Sequence, residues 1–207
     1  MEIYIETEIS LLYGICLVVG YGLLGAGLKY IDETYDVGIF DKRKALAVSI
    51  ASGLLMGTLM AVDTSSAIIL FGIIISVGAA GKIDNLAFYI VMFLSIIILL
   101  TSTLITSSYG LHMAWLVPLG YIVLSGIGDE LLDTIGHRKK IKALEMRPIM
   151  KVIVLLLCIF GIFDFVYFIA FLAFDLAYLC VALYSHKLVR SMSPLERERR
   201  NIVTDEI

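Results

Sequence analysis

Long apolar runs, separated by short breaks that carry all the basic residues, constrain this chain more than any other feature of its sequence. Of its 207 residues, 60% are hydrophobic and 17% are charged. An ordinary soluble domain is about half apolar and about a quarter charged. A helix that crosses a bilayer needs about 20 mostly apolar residues. The composition therefore predicts an all-α, integral membrane helical bundle.

Seven apolar runs are candidate transmembrane helices. They cover about 9–31, 43–62, 65–81, 86–106, 111–128, 149–164 and 167–187. The third run is short, and we expect a tight turn near Asp164 to divide the last two, which are otherwise continuous. Residues 1–190 are thus predicted to form a single transmembrane domain. We expect the remaining residues, 191–207, to be a short charged tail.

The distribution of basic residues predicts the orientation. All sixteen Lys and Arg residues fall within residues 29–44, at Lys82, within residues 138–151 or within residues 187–200. With seven helices these places are alternate loops and the tail, all on one side, and the positive-inside rule assigns that side to the cytoplasm. The N-terminus is then outside and the C-terminus inside, in a multi-pass protein of the plasma membrane. Six helices would put the last two basic clusters on opposite sides.

Two acidic motifs of the form Asp-x-x-x-Asp lie at the predicted cytoplasmic face. The first runs from Asp32 to Asp36 and the second from Asp129 to Asp133. On a helix, residues four apart share a face, so the two carboxylates of each motif repel each other. Each motif also follows the end of an apolar run, where the negative end of the helix dipole adds to the cost. Together these effects favour a bound cation.

Mg²⁺ suits two carboxylate pairs that converge on one cavity, because it takes one or two carboxylates and fills its other positions with waters and phosphate oxygens. Held in this way, it stabilises a diphosphate as a leaving group. Nearby basic side chains would complete the anion site, namely Lys42, Arg43, Lys44, Arg138, Lys139 and Lys140. Helix ends that face the cytoplasm are commonly polar, so a solvated surface is the alternative.

The segments GLLGAGLKYIDETYDVGIFDKRK and VLSGIGDELLDTIGHRKK resemble the two Asp-rich motifs of the UbiA-type intramembrane prenyltransferases. In both segments a Gly-rich helix end leads into an Asp pair and then a basic loop, and four predicted helices separate them. The resemblance implies a helical bundle around a cavity that opens sideways to lipid. It also implies Mg²⁺ bound by Asp32, Asp36, Asp129 and Asp133.

The same resemblance implies a reaction and its partners. A prenyl diphosphate would be ionised to an allylic carbocation and transferred to an aromatic ring, a hydroxyl or another lipid. Arg43 and Arg138 match the basic positions that follow the motifs, whereas the Asn that usually precedes the first motif is replaced. The expected partners are the bilayer and a membrane lipid or prenyl diphosphate, and no nucleic acid.

An intramembrane aspartyl protease is a second hypothesis. Residues 126–129 have the form Gly-x-Gly-Asp, and Tyr35-Asp36 has the form Tyr-Asp, both typical of such enzymes. Their chemistry needs two carboxylates that share one proton.

A non-enzymatic ion or solute carrier is a third hypothesis. Asp175 lies within the apolar run FLAFDLAYL, where an ionisable residue is a functional candidate by default. Its structural alternative is a neutral Asp bonded to a neighbouring helix through Ser or Tyr. Asp84, beside Lys82, is a further candidate for the cytoplasmic cavity. Asp63 is predicted to cap the third helix, since Asp before small hydroxyl residues suits that role.

Overall fold

A computed structural model describes the backbone of residues 2–81, 85–106, 113–139 and 147–192, and the side chains of residues 11–81, 85–105, 115–132 and 147–192. Within these residues the chain forms seven α-helices. They are α1 (Glu2–Asp36), α2 (Lys42–Val62), α3 (Thr64–Ala79), α4 (Leu86–Thr106), α5 (Met113–Lys139), α6 (Pro148–Ile159) and α7 (Phe165–Ser191). The prediction of an all-α fold is confirmed.

Five helices are long and apolar enough to cross a membrane. The spans are Leu11–Asp36, Lys42–Val62, Leu86–Ile105, Trp115–Leu132 and Phe165–Ser191. The other two, α3 and α6, are apolar but contain 16 and 12 residues. At about 1.5 Å per residue they extend roughly 24 and 18 Å, less than the hydrocarbon core of about 30 Å. The chain is therefore a membrane-embedded helical protein.

The main contacts between helices close a ring. Helix α1 packs on α2 and α7, α2 on α3, α3 on α5, α5 on α6, and α6 on α7. Helix α4 packs mainly on α2. Gly25 permits the close approach of α1 and α7, because a Cβ atom there would overlap the backbone carbonyl of Phe174. Small residues at helix contacts are the usual way in which membrane helices pack closely.

The connections on the predicted outer side agree with the sequence. Asp63 caps α3, and its two carboxylate oxygens accept the N–H groups of Ser65 and Ser66 at 3.0 and 2.8 Å. The Tyr167 hydroxyl donates to Asp63 at 2.8 Å, which ties α7 to the start of α3. Gly161 ends α6 with a φ of +71°, a conformation that glycine adopts readily. The turn expected near Asp164 is thus confirmed.

Two helices continue through the acidic motifs, beyond the ends that the apolar runs predict. Helix α1 continues through the first acidic motif to Asp36, and Gly38, with a φ of +69°, follows its end. Helix α5 continues through the second motif to Lys139. The prediction that both motifs lie where helices end is therefore wrong for Asp129, which is well inside α5. Beyond the apolar segment, the helices can continue through polar residues because water or ion pairs stabilise the polar and charged side chains.

Candidate functional site

The first acidic motif faces α7 from the last turns of α1. The Lys29 ammonium lies 2.6 Å from Oδ2 of Asp32, and the Tyr178 hydroxyl donates to the same oxygen at 3.4 Å. The Asp32 side chain keeps 25% of its surface exposed. Asp36, one turn later, is exposed. The two carboxylates predicted to bind a metal are thus accessible at one end of α1.

Glu33, which the motif analysis passed over, is the buried member of this segment, with 4% exposed. Its carboxylate lies 2.9 Å from the Lys29 ammonium and accepts a hydrogen bond from the Ser185 hydroxyl of α7. Asp32 and Glu33 therefore share one cation. The i to i+3 and i to i+4 spacing from Lys29 was the sequence signal for this arrangement.

The second motif supplies a cap rather than a free carboxylate. Asp129 is 3% exposed, and its two oxygens accept the backbone N–H groups of Ile149 and Met150, each at 2.8 Å. These N–H groups belong to the first turn of α6, whose donors have no partner within the helix. Asp129 thus caps α6 from α5. The side chain of Asp133 lies outside the described residues.

Asp175 pairs with a lysine. The Lys151 ammonium of α6 lies 2.9 Å from Oδ2 of Asp175 on α7, close enough for an ion pair, although the angle falls short of a directed hydrogen bond. The alternative of a neutral Asp bonded through Ser or Tyr is therefore wrong about the partner. A charge pair within apolar helices is costly to bury and is stable only when both members are present.

Arg147, just before α6, completes the group. Its guanidinium carbon lies 5.7 Å from the ring centroid of Phe174 and 5.4 Å from that of Tyr178. The Lys29 ammonium also lies over the Tyr178 ring, at 5.1 Å. Arg147 interacts electrostatically with both Asp129 and Asp175. Tyr178 and Arg147 thereby connect the two acidic motifs.

We name this group the charged cluster, and it lies where α1, α5, α6 and α7 meet. Its residues are Lys29, Asp32, Glu33, Asp129, Arg147, Lys151, Asp175, Tyr178 and Ser185. Sequence reasoning named its three aspartates as candidates and did not assign Lys29, Arg147 or Lys151 to the site. Lys151 and Asp175 each interrupt an apolar run with opposite charge, which was a signal for pairing.

The predicted diphosphate ligands are placed less centrally. Lys42 is half-buried and Arg43 is exposed in the first turn of α2, where the Asp41 carboxylate accepts the Arg43 backbone N–H at 2.7 Å. The side chains of Arg138 and Lys139 lie outside the described residues, as does all of Asp84. These assignments stay predictions.

A metal ion fits Asp32 and Asp36 of the first motif better than it fits Asp129, the described carboxylate of the Asp pair in the second. Among the side chains that the structure describes, no three Asp, Glu, His or Cys residues are grouped to hold a metal. Mg²⁺ needs only one or two carboxylates, since waters and phosphate oxygens complete its shell. Asp32 and Asp36 are accessible and one helical turn apart, whereas both oxygens of Asp129 already accept backbone N–H groups.

Comparison with protein-family models, curated proteins and solved structures found no match for this chain. The resemblance to the UbiA-type prenyltransferases is carried by the acidic motifs alone.

Proposed function

We propose that all seven helices cross the plasma membrane, with the N-terminus outside and the C-terminus in the cytoplasm. The basic residues support this orientation, because seven crossings place all of them on one side. Apolar residues extend α6 beyond its outer end. After α6, the turn from Phe160 to Phe163 adds three large apolar side chains, of which Phe163 is buried.

At its cytoplasmic end, we propose, the protein binds a prenyl or lipid diphosphate together with Mg²⁺. One observation carries this proposal: one aspartate of each acidic motif lies in the same charged cluster, where the Tyr178 hydroxyl donates to Asp32 and the Arg147 guanidinium interacts electrostatically with Asp129. Such a cluster, at the last turns of α1 and the first turns of α6, can reach a ligand whose chain lies in lipid and whose head group lies in water.

The charges within the cluster are separated in a way that suits a metal diphosphate. At the end of α1, Asp32 and Glu33 share the single cation Lys29, so this side carries excess negative charge. At the start of α6, Arg147 adds a positive charge next to a helix N-terminus, which attracts anions. A divalent cation is favoured on the first side, and phosphate oxygens on the second.

Transfer of the prenyl group is the reaction that such binding would serve. Mg²⁺ at Asp32 and Asp36 would supply the charge that stabilises a departing diphosphate. The rings of Tyr178 and Phe174 present their faces within the cluster, and such faces stabilise cations. The acceptor would be an aromatic ring, a hydroxyl or another lipid.

Calorimetric titration of the purified protein in lipid nanodiscs tests this proposal. We expect Mg²⁺ to strengthen the binding of farnesyl diphosphate, and Asp32→Asn and Asp36→Asn to abolish that gain, because they remove the metal's carboxylates. Asp164→Asn is the matched control, since this exposed carboxylate of the outer turn makes no capping bond. Binding that is indifferent to Mg²⁺ and to both substitutions would contradict the proposal.

A carrier is the second candidate, and the Lys151–Asp175 pair favours it. An ion pair between two helices within the apolar segment is typical of ion and solute pathways. For this function we expect Asp175→Asn to abolish ion flux in proteoliposomes while Asp32→Asn leaves it intact. Equal flux in the wild type and Asp175→Asn would rule out the carrier.

The aspartyl protease stays a prediction that the described geometry does not favour. A catalytic pair must place two carboxylates where they share a proton. Asp36 is exposed at the end of α1, whereas Asp129 is buried and engaged in capping α6.

A further inference from the structure

Arg147 is the cation of the charged cluster with an unused donor. Its Nη1 atom is buried and has no hydrogen-bond partner among the residues that the structure describes. A buried donor without a partner is costly, and a charged one more so. The guanidinium carbon lies over the rings of Phe174 and Tyr178, whose faces attract the positive charge but offer no oxygen to accept an N–H group.

The acidic residues of the cluster have other partners. Lys29 pairs with Asp32 and Glu33, and Lys151 pairs with Asp175. Each carboxylate oxygen of Asp129 accepts a hydrogen bond from a backbone N–H group of α6. Arg147 interacts electrostatically with Asp129 and Asp175, but neither carboxylate accepts a hydrogen bond from its Nη1 atom. The cluster therefore leaves the Nη1 donor of Arg147 open for an acceptor from outside.

The backbone holds Arg147 in this place at a cost. Its φ of 47° and ψ of 56° lie in the left-handed region, which is uncommon for a residue with a side chain. Pro148 follows at the first position of α6, and the bonds from Asp129 fix the next two residues. Strained conformations of this kind persist where the surrounding structure fixes them, and they concentrate at functional sites.

We infer that Arg147 is an anion-binding residue that receives the phosphoryl group of a phosphate or diphosphate ester at the start of α6. Arginine suits this role because its planar fork donates two parallel hydrogen bonds to phosphate oxygens. The rings of Tyr178 and Phe174 hold the guanidinium in place through its charge, and the positive end of α6 adds to the attraction for an anion. The choice of a phosphate or diphosphate ester as the ligand rests on the proposed function. The choice of Arg147 rests on its own contacts, since it belongs to neither acidic motif.

Binding of inorganic diphosphate and farnesyl diphosphate, each with Mg²⁺ and with EDTA, tests the role of Arg147 in the full chain in nanodiscs. We expect Arg147→Gln to weaken both ligands by about 10- to 100-fold in either condition, the usual effect of losing a charge-assisted hydrogen bond. Arg147→Lys keeps the charge without the fork, and we expect a smaller loss. Arg190→Gln, which removes an exposed arginine of α7, should bind as the wild type does.

Thermal unfolding checks whether each variant is folded. If Arg147→Gln is not folded, the binding of Arg147→Lys tests the inference. Tighter binding of farnesyl diphosphate than of inorganic diphosphate, with the same dependence on Arg147, identifies a lipid head group as the source of the phosphoryl group. Equal binding identifies a free diphosphate. If both Arg147 variants bind as tightly as the wild type, the inference is overturned.

The failure of the proposed function has a different signature. Arg147-dependent binding in EDTA that Mg²⁺ does not strengthen would overturn the metal site and uphold the Arg147 site. No binding of either diphosphate by the folded wild-type protein would overturn both.

Discussion

Asp129 shows how the same side chain can satisfy a sequence motif and perform another task. Its spacing from Asp133 predicts a metal ligand, yet its two oxygens accept the N–H groups of Ile149 and Met150. A carboxylate in this position also meets the positive end of the α6 dipole. The capped turn contains Pro148 and follows Arg147, so Asp129 acts on the site by holding the start of α6 in place.

Replacing Asp129 should therefore reduce stability whether or not Mg²⁺ is present. We expect Asp129→Ala to cost about 1–3 kcal/mol, because two buried N–H groups lose their acceptor. Asp129→Asn should cost less, since one amide oxygen remains. The unfolding midpoint in detergent measures both losses of stability. Asp164→Asn is the control, because the Asp164 carboxylate makes no capping hydrogen bond. A midpoint that falls only when Mg²⁺ is present would instead indicate a metal ligand.

Single residues also mark what the sequence could not predict. The opposite charges that interrupt two apolar runs are compatible with a pair between Asp175 and Lys151, but the packing of α6 on α7 is what brings the two side chains together. Arg147 was counted with the basic loop that sets the orientation, since nothing in the spacing of charges places a side chain over the Tyr178 ring. Pairings between helices depend on rotation and depth, which the hydrophobic pattern does not specify.

Helices follow the sequence more closely than side-chain pairs do. Each of the seven apolar runs coincides with a helix, because apolar segments of this length must satisfy their backbone within the helix when they lie in lipid. The ends differ where polar residues take over. Lys29 stabilises the last turns of α1 by pairing with Asp32 and Glu33, which carries the helix through the motif. Helix α6 ends earlier than its apolar run, because Gly161 adopts a positive φ that does not continue the helix.

The contact of α1 with α7 depends on the absence of a side chain at Gly25. We expect Gly25→Ala to destabilise the protein by about 1–3 kcal/mol, because the new methyl group would overlap the carbonyl of Phe174 and force the helices apart. Gly120→Ala in α5 is the matched control. A methyl group there meets no atom within 4 Å, and alanine favours the helix.

Unfolding midpoints of the two glycine variants, measured in the same detergent, separate packing from helix propensity. Gly120→Ala should equal or exceed the wild type. If Gly25→Ala is as stable as Gly120→Ala, the close contact of α1 with α7 is not required for the fold.

The packing of the ring of helices brings the residues of the charged cluster together. Helix α7 contacts both α1 and α6, so it carries partners for both sides of the cluster: Tyr178 for Asp32, Ser185 for Glu33, and Asp175 for Lys151. The ion pairs lie in the last turns of α1, the first turns of α6 and the middle of α7. If the C-terminal end of α1 faces the cytoplasm, the cluster is presented to ligands made inside the cell.

The proposed location of the C-terminus in the cytoplasm requires that the short helix α6 crosses the membrane. Labelling of single cysteines with a membrane-impermeant maleimide tests it, after Cys16, Cys158 and Cys180 are replaced by alanine. With seven crossings, a cysteine at exposed position Asp164 should react in intact cells, and one at exposed position Lys44 only after permeabilisation. If α6 does not cross, position 164 stays on the side of Arg147, and both cysteines should require permeabilisation.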